Sequence, residues 1–86
     1  MIWMPMDKKD QLAELISNAE TFFYNGQLQE AFSLSLSAIK LDENCADAYQ
    51  YAANVCMSLS RYEDAIEYYQ KVQIYIMLIT QIEMNL

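Results

Sequence analysis

The chain has 86 residues, of which 55% are hydrophobic and 20% charged, and it contains a single glycine and a single proline. A chain of this length allows one small domain, and its scarcity of turn formers favours helices over a β-sandwich or a disordered segment. The net charge of −7, with five scattered basic residues, argues against nucleic acid and an anionic membrane surface as partners.

The first eleven residues are assigned to an N-terminal segment, which opens with the apolar stretch MIWMPM. Pro5 favours an extended conformation for Met4. Two interpretations stay open: the stretch is a frayed terminus, or Ile2 and Trp3 dock in a hydrophobic groove of this chain or a neighbour. The segment lacks the basic region ahead of an apolar stretch that is typical of a secretory signal.

Apolar residues at helical spacing predict two helices in the first half of the chain. Gly26, between them, suits the left-handed conformation that follows many helix ends, and the stretch LDEN (41–44) ends the second helix. The apolar stripes are Leu12, Leu15, Ile16, Ala19, Phe22 and Phe23, and then Leu28, Ala31, Phe32, Leu36 and Ile39.

Two more helices are predicted after residue 44. Asp47 lies in the first turn of the third, where a negative charge suits the helix dipole, and Ser60 is expected to cap the fourth. No turn former follows before Asn85, so the fourth helix is expected to run from Tyr62 to about Met84, a length of about 34 Å. The stripe of the third helix is Tyr49, Ala52, Ala53 and Cys56, and that of the fourth begins with Tyr62, Ala65, Ile66, Tyr69 and Val72.

The second pair of helices repeats the first at an offset of thirty-four residues, which gives units 12–45 and 46–79. Ala19 then aligns with Ala53, and Ala31 with Ala65, where closely packed helices need small residues. The register resembles the tetratricopeptide repeat, a helix–turn–helix unit of this length. The resemblance implies an all-α fold of two such units in an α–α solenoid, followed by a C-terminal helical extension (80–86).

The second unit departs from the family pattern from about Val72 onward. Glu43 and Met77 stand where each repeat usually closes with proline, Ser35 is small where an aromatic residue is usual, and Gln73 is polar where Ile39 is apolar. A fragment of a longer array therefore remains an alternative interpretation.

The resemblance implies a concave groove lined by the first helix of each unit, which binds an extended or helical segment of a partner protein. The groove lining would be acidic and aromatic, so an apolar or basic segment is the expected ligand, and a carboxylate terminus is not. By register, the groove residues are Ile16, Glu20, Phe23, Tyr24, Asp47, Gln50, Tyr51, Asn54 and Met57.

The predicted function is therefore that of a protein–protein interaction module, an adaptor or scaffold. A small acidic tetratricopeptide chaperone for a secretion-type client is the alternative.

An enzyme is not expected, because the chain has no histidine to act as general base, and Glu63 and Glu67 fit a solvated helix face. Catalytic, metal and cofactor sites are all expected to be absent, since Cys45 and Cys56 have no metal-binding spacing. Free thiols and the lack of a run of about 20 apolar residues favour the cytoplasm.

Six consecutive apolar residues, Ile74 to Ile79, raise the question of what covers the fourth helix. Its stripe, continued through Ile76 and Ile79, is expected to face the chain's own repeats. A second stripe would be left uncovered, which predicts a homo-oligomer, most simply a dimer. The residues of this predicted interface are Tyr68, Tyr75, Leu78 and Ile82.

Overall fold

The computed structural model describes residues 7–84, with side chains through Gln81. Four helices follow one another in this range: α1 (Lys8–Tyr24), α2 (Leu28–Leu41), α3 (Ala46–Ser58) and α4 (Tyr62–Met84). No strand interrupts residues 7–84, so the all-α class is confirmed. The predicted end of the fourth helix near Met84 is also confirmed.

The first helix starts earlier than its apolar stripe. Asp7 is its N-cap, and the Asp7 carboxylate accepts a hydrogen bond from the backbone N–H of Asp10 at 2.8 Å. This bond satisfies one of the donors that every helix start leaves free. Residues 8–11, assigned from sequence to the N-terminal segment, are therefore helical, whereas both interpretations of MIWMPM lie outside the described residues.

The turns inside the two units have the same geometry. After α1, Gly26 has φ +80, and the N–H of Gln27 donates to the carbonyl of Phe22 at 2.9 Å. After α3, thirty-four residues later, Ser60 has φ +62, and the N–H of Arg61 donates to the carbonyl of Cys56 at 2.8 Å. Both are Schellman ends, in which the residue after the helix takes a left-handed conformation.

The prediction that Ser60 caps α4 is therefore wrong. Ser60 ends α3. The hydrogen bond from the N–H of Arg61 to the carbonyl of Cys56 forms only if the residue before Arg61 has a positive φ, and that residue is Ser60. Serine is common at helix starts and rare at left-handed positions, so the residue type pointed to the wrong helix.

These matched turns predict opposite effects of matched substitutions. Gly26→Ala should lower the free energy of unfolding by about 1 kcal/mol, and Ser60→Gly should raise it by about 0.5–1 kcal/mol, because only glycine adopts a positive φ without cost. A methyl group at Gly26 would meet no atom within 4 Å, so the effect is conformational. Urea unfolding measures both changes.

Ser37→Gly is the control for these variants, since Ser37 is exposed inside α2. Glycine there should destabilise by up to about 1 kcal/mol. The assigned turn would be contradicted if glycine stabilised the protein at both Ser60 and Ser37, or at neither of them.

A seam of small residues holds the helices together. α1 packs on α2, α2 on α3 and α3 on α4, and α1 also contacts α3. Small side chains let helix axes approach closely, and the aligned pairs Ala19–Ala53 and Ala31–Ala65 are all buried, as predicted. Ser35 is buried as well, and its hydroxyl donates to the carbonyl of Ala31 at 2.9 Å. The fully buried alanines also include Ala38, Ala48 and Ala52.

Two tyrosines of α4, Tyr68 and Tyr75, attach this helix to the rest of the fold. The ring of Tyr68 lies between those of Phe32 and Tyr49, with centroid distances of 6.4 and 6.3 Å. The hydroxyls of Tyr49 and Tyr75 both donate to the carbonyl of Glu43, at 2.9 and 2.7 Å. The statement that nothing in this chain covers Tyr68 and Tyr75 is therefore wrong, since both are half-buried against α2, α3 and the turn between them.

The C-terminal part of α4 extends past its neighbour. α4 has 23 residues and α3 has 13, or about 34 and 20 Å. Ile76 and Ile79 were predicted to face the chain's own repeats, yet each is 56% exposed. α3 is therefore too short to run beside the whole of α4. The same stripe has three more exposed side chains nearer the start of α4: Tyr62, Ile66 and Tyr69.

The two cysteines should react with thiol reagents at very different rates. Cys56 is fully buried on α3, as predicted, and burial raises the pKa of its thiol. Cys45 is partly exposed at the start of α3. We expect Cys45 to be alkylated at least about 100-fold faster in the native protein, because Cys56 must wait for an opening of the fold. Labelling of Cys45→Ser and Cys56→Ser variants, followed by mass spectrometry, measures each thiol separately. Equally fast labelling would contradict the position of α3.

Candidate functional site

A depression of about 470 Å³ lies between α1 and α3. Seven of the nine residues predicted for the groove line it: Ile16, Glu20, Tyr24, Asp47, Gln50, Tyr51 and Asn54. Steps of three or four residues place these side chains on one face of each helix, and the contact between α1 and α3 brings the two faces together. We call this depression the groove; its role in binding stays a prediction.

The other two predicted residues lie outside the groove lining. Phe23 is half-buried, with its ring edge-on to that of Tyr24 at a centroid distance of 5.5 Å. Met57 is exposed near the end of α3. Phe23 thus supports the position of Tyr24 at the groove edge.

The groove carries two formal negative charges from different helices, Glu20 on α1 and Asp47 on α3. Burial raises the pKa of Tyr51, and hydrogen bonding to Glu20 and the charges around it raise the pKa further. The Tyr51 hydroxyl therefore keeps its proton at neutral pH and remains a hydrogen-bond donor. None of the lining residues is basic, so a cation or an N–H donor is the complementary group.

Asn54 has a partner from outside the groove. The hydroxyl of Tyr69, on α4, donates to Asn54 Oδ1 at 2.5 Å. Asn54 is half-buried and lines the groove, whereas Tyr69 is not among the lining residues. The sequence analysis placed Tyr69 in the packing stripe of α4 and missed this contact, because no local pattern links residues fifteen positions apart on different helices.

The second surface of interest is the C-terminal part of α4 beyond Tyr75, residues 76–84, which we call the overhang. Ile76, Met77, Leu78 and Ile79 are each at least half exposed. Of the predicted interface residues, Leu78 lies here, and the side chain of Ile82 lies outside the described ones. Tyr68 and Tyr75 are held by the chain's own helices.

Other kinds of site find no support in the described part of the chain. Residues 7–81 contain no group of three or more potential metal ligands. No described helix is long and apolar enough to cross a membrane. Other depressions of similar volume include one at residues 60–64, of about 420 Å³, and an apolar one beside Phe22 and Leu34, of about 440 Å³.

Comparison with known proteins gives one match. The family model for the anaphase-promoting complex, cyclosome, subunit 3 matches residues 4–72, which is more than half of the chain and includes α1, α2, α3 and the first half of α4. It ends at Val72, where the second unit departs from the repeat pattern. No curated protein and no solved structure matches the chain. The chain belongs to the family of subunit 3 of the anaphase-promoting complex, which is a tetratricopeptide-type repeat family and so a family of protein–protein interaction modules.

Proposed function

We propose that this chain is an adaptor that binds an apolar or basic segment of a partner protein in the groove between α1 and α3. The main support for the proposal is that one depression is lined by two carboxylates and two tyrosines: Glu20, Asp47, Tyr24 and Tyr51. Carboxylates attract lysine and arginine, and tyrosine rings supply a large apolar contact area with a polar tip. The family takes its name from a subunit of a complex, and this membership supports a role in holding proteins together.

The charge of the whole chain favours the same class of ligand. The net charge is −7, and two of the five basic side chains already lie over aromatic rings, Arg61 over Phe32 and Lys71 over Tyr49. An acidic surface attracts a basic segment over a distance and repels an acidic one. The attraction should weaken with salt, since the screening length falls to about 8 Å at physiological ionic strength.

Matched peptides test the proposal. The probes are two fluorescent heptapeptides, one alternating leucine with lysine and one alternating leucine with glutamate, titrated with the full chain and followed by fluorescence anisotropy. The lysine peptide should bind and lose affinity as salt is raised, whereas the glutamate peptide should not bind. Equal affinity for both peptides would refute the role of the groove charges, and no binding of either would refute the proposed ligand class.

We also propose that the overhang pairs with the overhang of a second copy, which makes the protein a homodimer. Four large apolar side chains there, from Ile76 to Ile79, are at least half exposed. Burying the exposed part of each side chain would stabilise the dimer by on the order of 1 kcal/mol. Surfaces of this kind on a soluble chain mark contact sites.

The distribution of charge favours a second copy as the occupant of the overhang. No charged residue occurs between Lys71 and Glu83, although the chain as a whole is strongly acidic. Two like-charged copies can therefore meet along residues 76–82 of the overhang, short of Glu83, without placing carboxylates against each other, which would be unfavourable elsewhere on the molecule. Closed twofold pairs are the commonest oligomers.

A further inference from the structure

The contact between Tyr69 and Asn54 links α4 to the groove. The Tyr69 hydroxyl donates to Asn54 Oδ1 at 2.5 Å, and Asn54 lies in the groove wall. Tyr69 itself is not among the lining residues. Its effect on a bound segment must therefore pass through Asn54.

The hydrogen bond decides what Asn54 can offer to a ligand. A carboxamide has an oxygen that accepts and an NH₂ that donates, and it can turn to present either. The Tyr69 hydroxyl uses one of the two lone pairs of this oxygen and thereby fixes how the carboxamide is turned, which leaves the NH₂ group to donate to a ligand. Glu20 and Asp47 are acceptors, and the Tyr51 hydroxyl lies close enough to Glu20 for that carboxylate to raise its pKa. A peptide segment presents both N–H donors and carbonyl acceptors. The carboxylates can bind its N–H groups, and the NH₂ group of Asn54 can bind its carbonyls.

We infer that Tyr69 is a positioning residue for the groove: it fixes Asn54 as an N–H donor to a main-chain carbonyl of the bound segment. This inference rests on the proposed function and adds to it the form of the ligand. The segment is extended, since its carbonyl must be free of helical hydrogen bonds, and it carries a basic side chain beside that carbonyl for Glu20 and Asp47. The overhang takes no part in this arrangement.

Two substitutions separate this inference from simple charge attraction. Tyr69→Phe removes the hydroxyl and should weaken binding of the leucine–lysine heptapeptide by about 3–10-fold, the effect of one hydrogen bond. Asn54→Asp adds a negative charge and removes the donor. Attraction alone would make Asn54→Asp bind the lysine peptide more tightly, whereas a lost donor makes it bind more weakly; we expect weaker binding.

The controls address structure and coupling. Tyr62→Phe, at an exposed tyrosine two turns earlier on α4, should leave the affinity unchanged. In an Asn54→Ala background, Tyr69→Phe should change the affinity less than about 2-fold, because its effect passes through Asn54. The side-chain amide signals of Asn54 in a ¹⁵N spectrum of the peptide-free protein should shift in Tyr69→Phe and stay in place in Tyr62→Phe.

The outcomes are distinguishable. If the lysine peptide binds the wild type but Tyr69→Phe binds equally well, or Asn54→Asp binds more tightly, this inference is overturned and the proposed function stands. If neither heptapeptide binds the wild type, the proposed function falls, and the inference falls with it. An Asn54 amide signal unmoved by Tyr69→Phe would overturn the hydrogen bond itself.

Discussion

Replacing Met77 and Leu78 together with glutamate is expected to convert the proposed dimer into a monomer. Both side chains are at least half exposed in the overhang, and two carboxylates at the centre of an apolar interface must be desolvated without partners, at a cost of several kcal/mol. The dissociation constant should rise by at least about 100-fold. Light scattering at tens of micromolar protein measures the mass of the wild type and of the variant.

The matched control changes two exposed glutamines nearer the body of the protein. Gln70→Glu with Gln73→Glu adds the same charge to the same helix, and the dimer should persist. The stability of the monomeric variant should be close to that of the wild-type fold, because both substituted side chains are at least half exposed. A wild type that is monomeric at this concentration refutes the dimer, and so does a glutamate variant that keeps the dimer mass.

Reversing both charges of the groove should have an effect of similar size on ligand binding. Glu20→Lys with Asp47→Lys places two cations beside Tyr51 and should weaken the leucine–lysine heptapeptide by at least about 100-fold, since paired attractions become repulsions worth 1–2 kcal/mol each. The leucine–glutamate heptapeptide should gain affinity. Anisotropy titrations at low and physiological salt measure both effects.

Glu63→Lys with Glu67→Lys is the control for the reversed groove. It changes the net charge by the same amount, at exposed positions of α4 away from the groove. Because only the diffuse field of the protein changes, a loss of less than about 10-fold is expected, and physiological salt should abolish it. Equal losses in both double variants would show that net charge matters and the groove does not.

Much of this fold could be predicted from the sequence because its signals are local. The thirty-four-residue offset predicts the paired alanines, and both pairs are buried between helices. Gly26 predicts the first turn through its conformational freedom. The groove lining follows from helical spacing once the two first helices are taken to be neighbours, and seven of the nine predicted residues share one depression.

The errors about which side chains are covered have a common physical origin in helix α4. Periodicity gives the phase of a helix but not the length of the neighbour it packs against, so Ile76 and Ile79 were predicted to be covered although α3 is too short to reach them. Tyr75 is large enough to reach back to the turn before α3, where the carbonyl of Glu43 accepts its hydroxyl. Tyr69 and Asn54 meet for the same reason, through long side chains that bridge two helices. Such contacts depend on helix position rather than on residue pattern.

Chemical-shift mapping of the leucine–lysine heptapeptide on the ¹⁵N-labelled full chain tests the central claim most directly. The groove predicts that the largest shifts cluster at residues 16–24 of α1 and 47–54 of α3, together with the side-chain amides of Gln50 and Asn54. The overhang signals should stay in place, since the peptide and the second copy use separate surfaces. Largest shifts at residues 74–81 of α4, with the groove unmoved, would contradict the account.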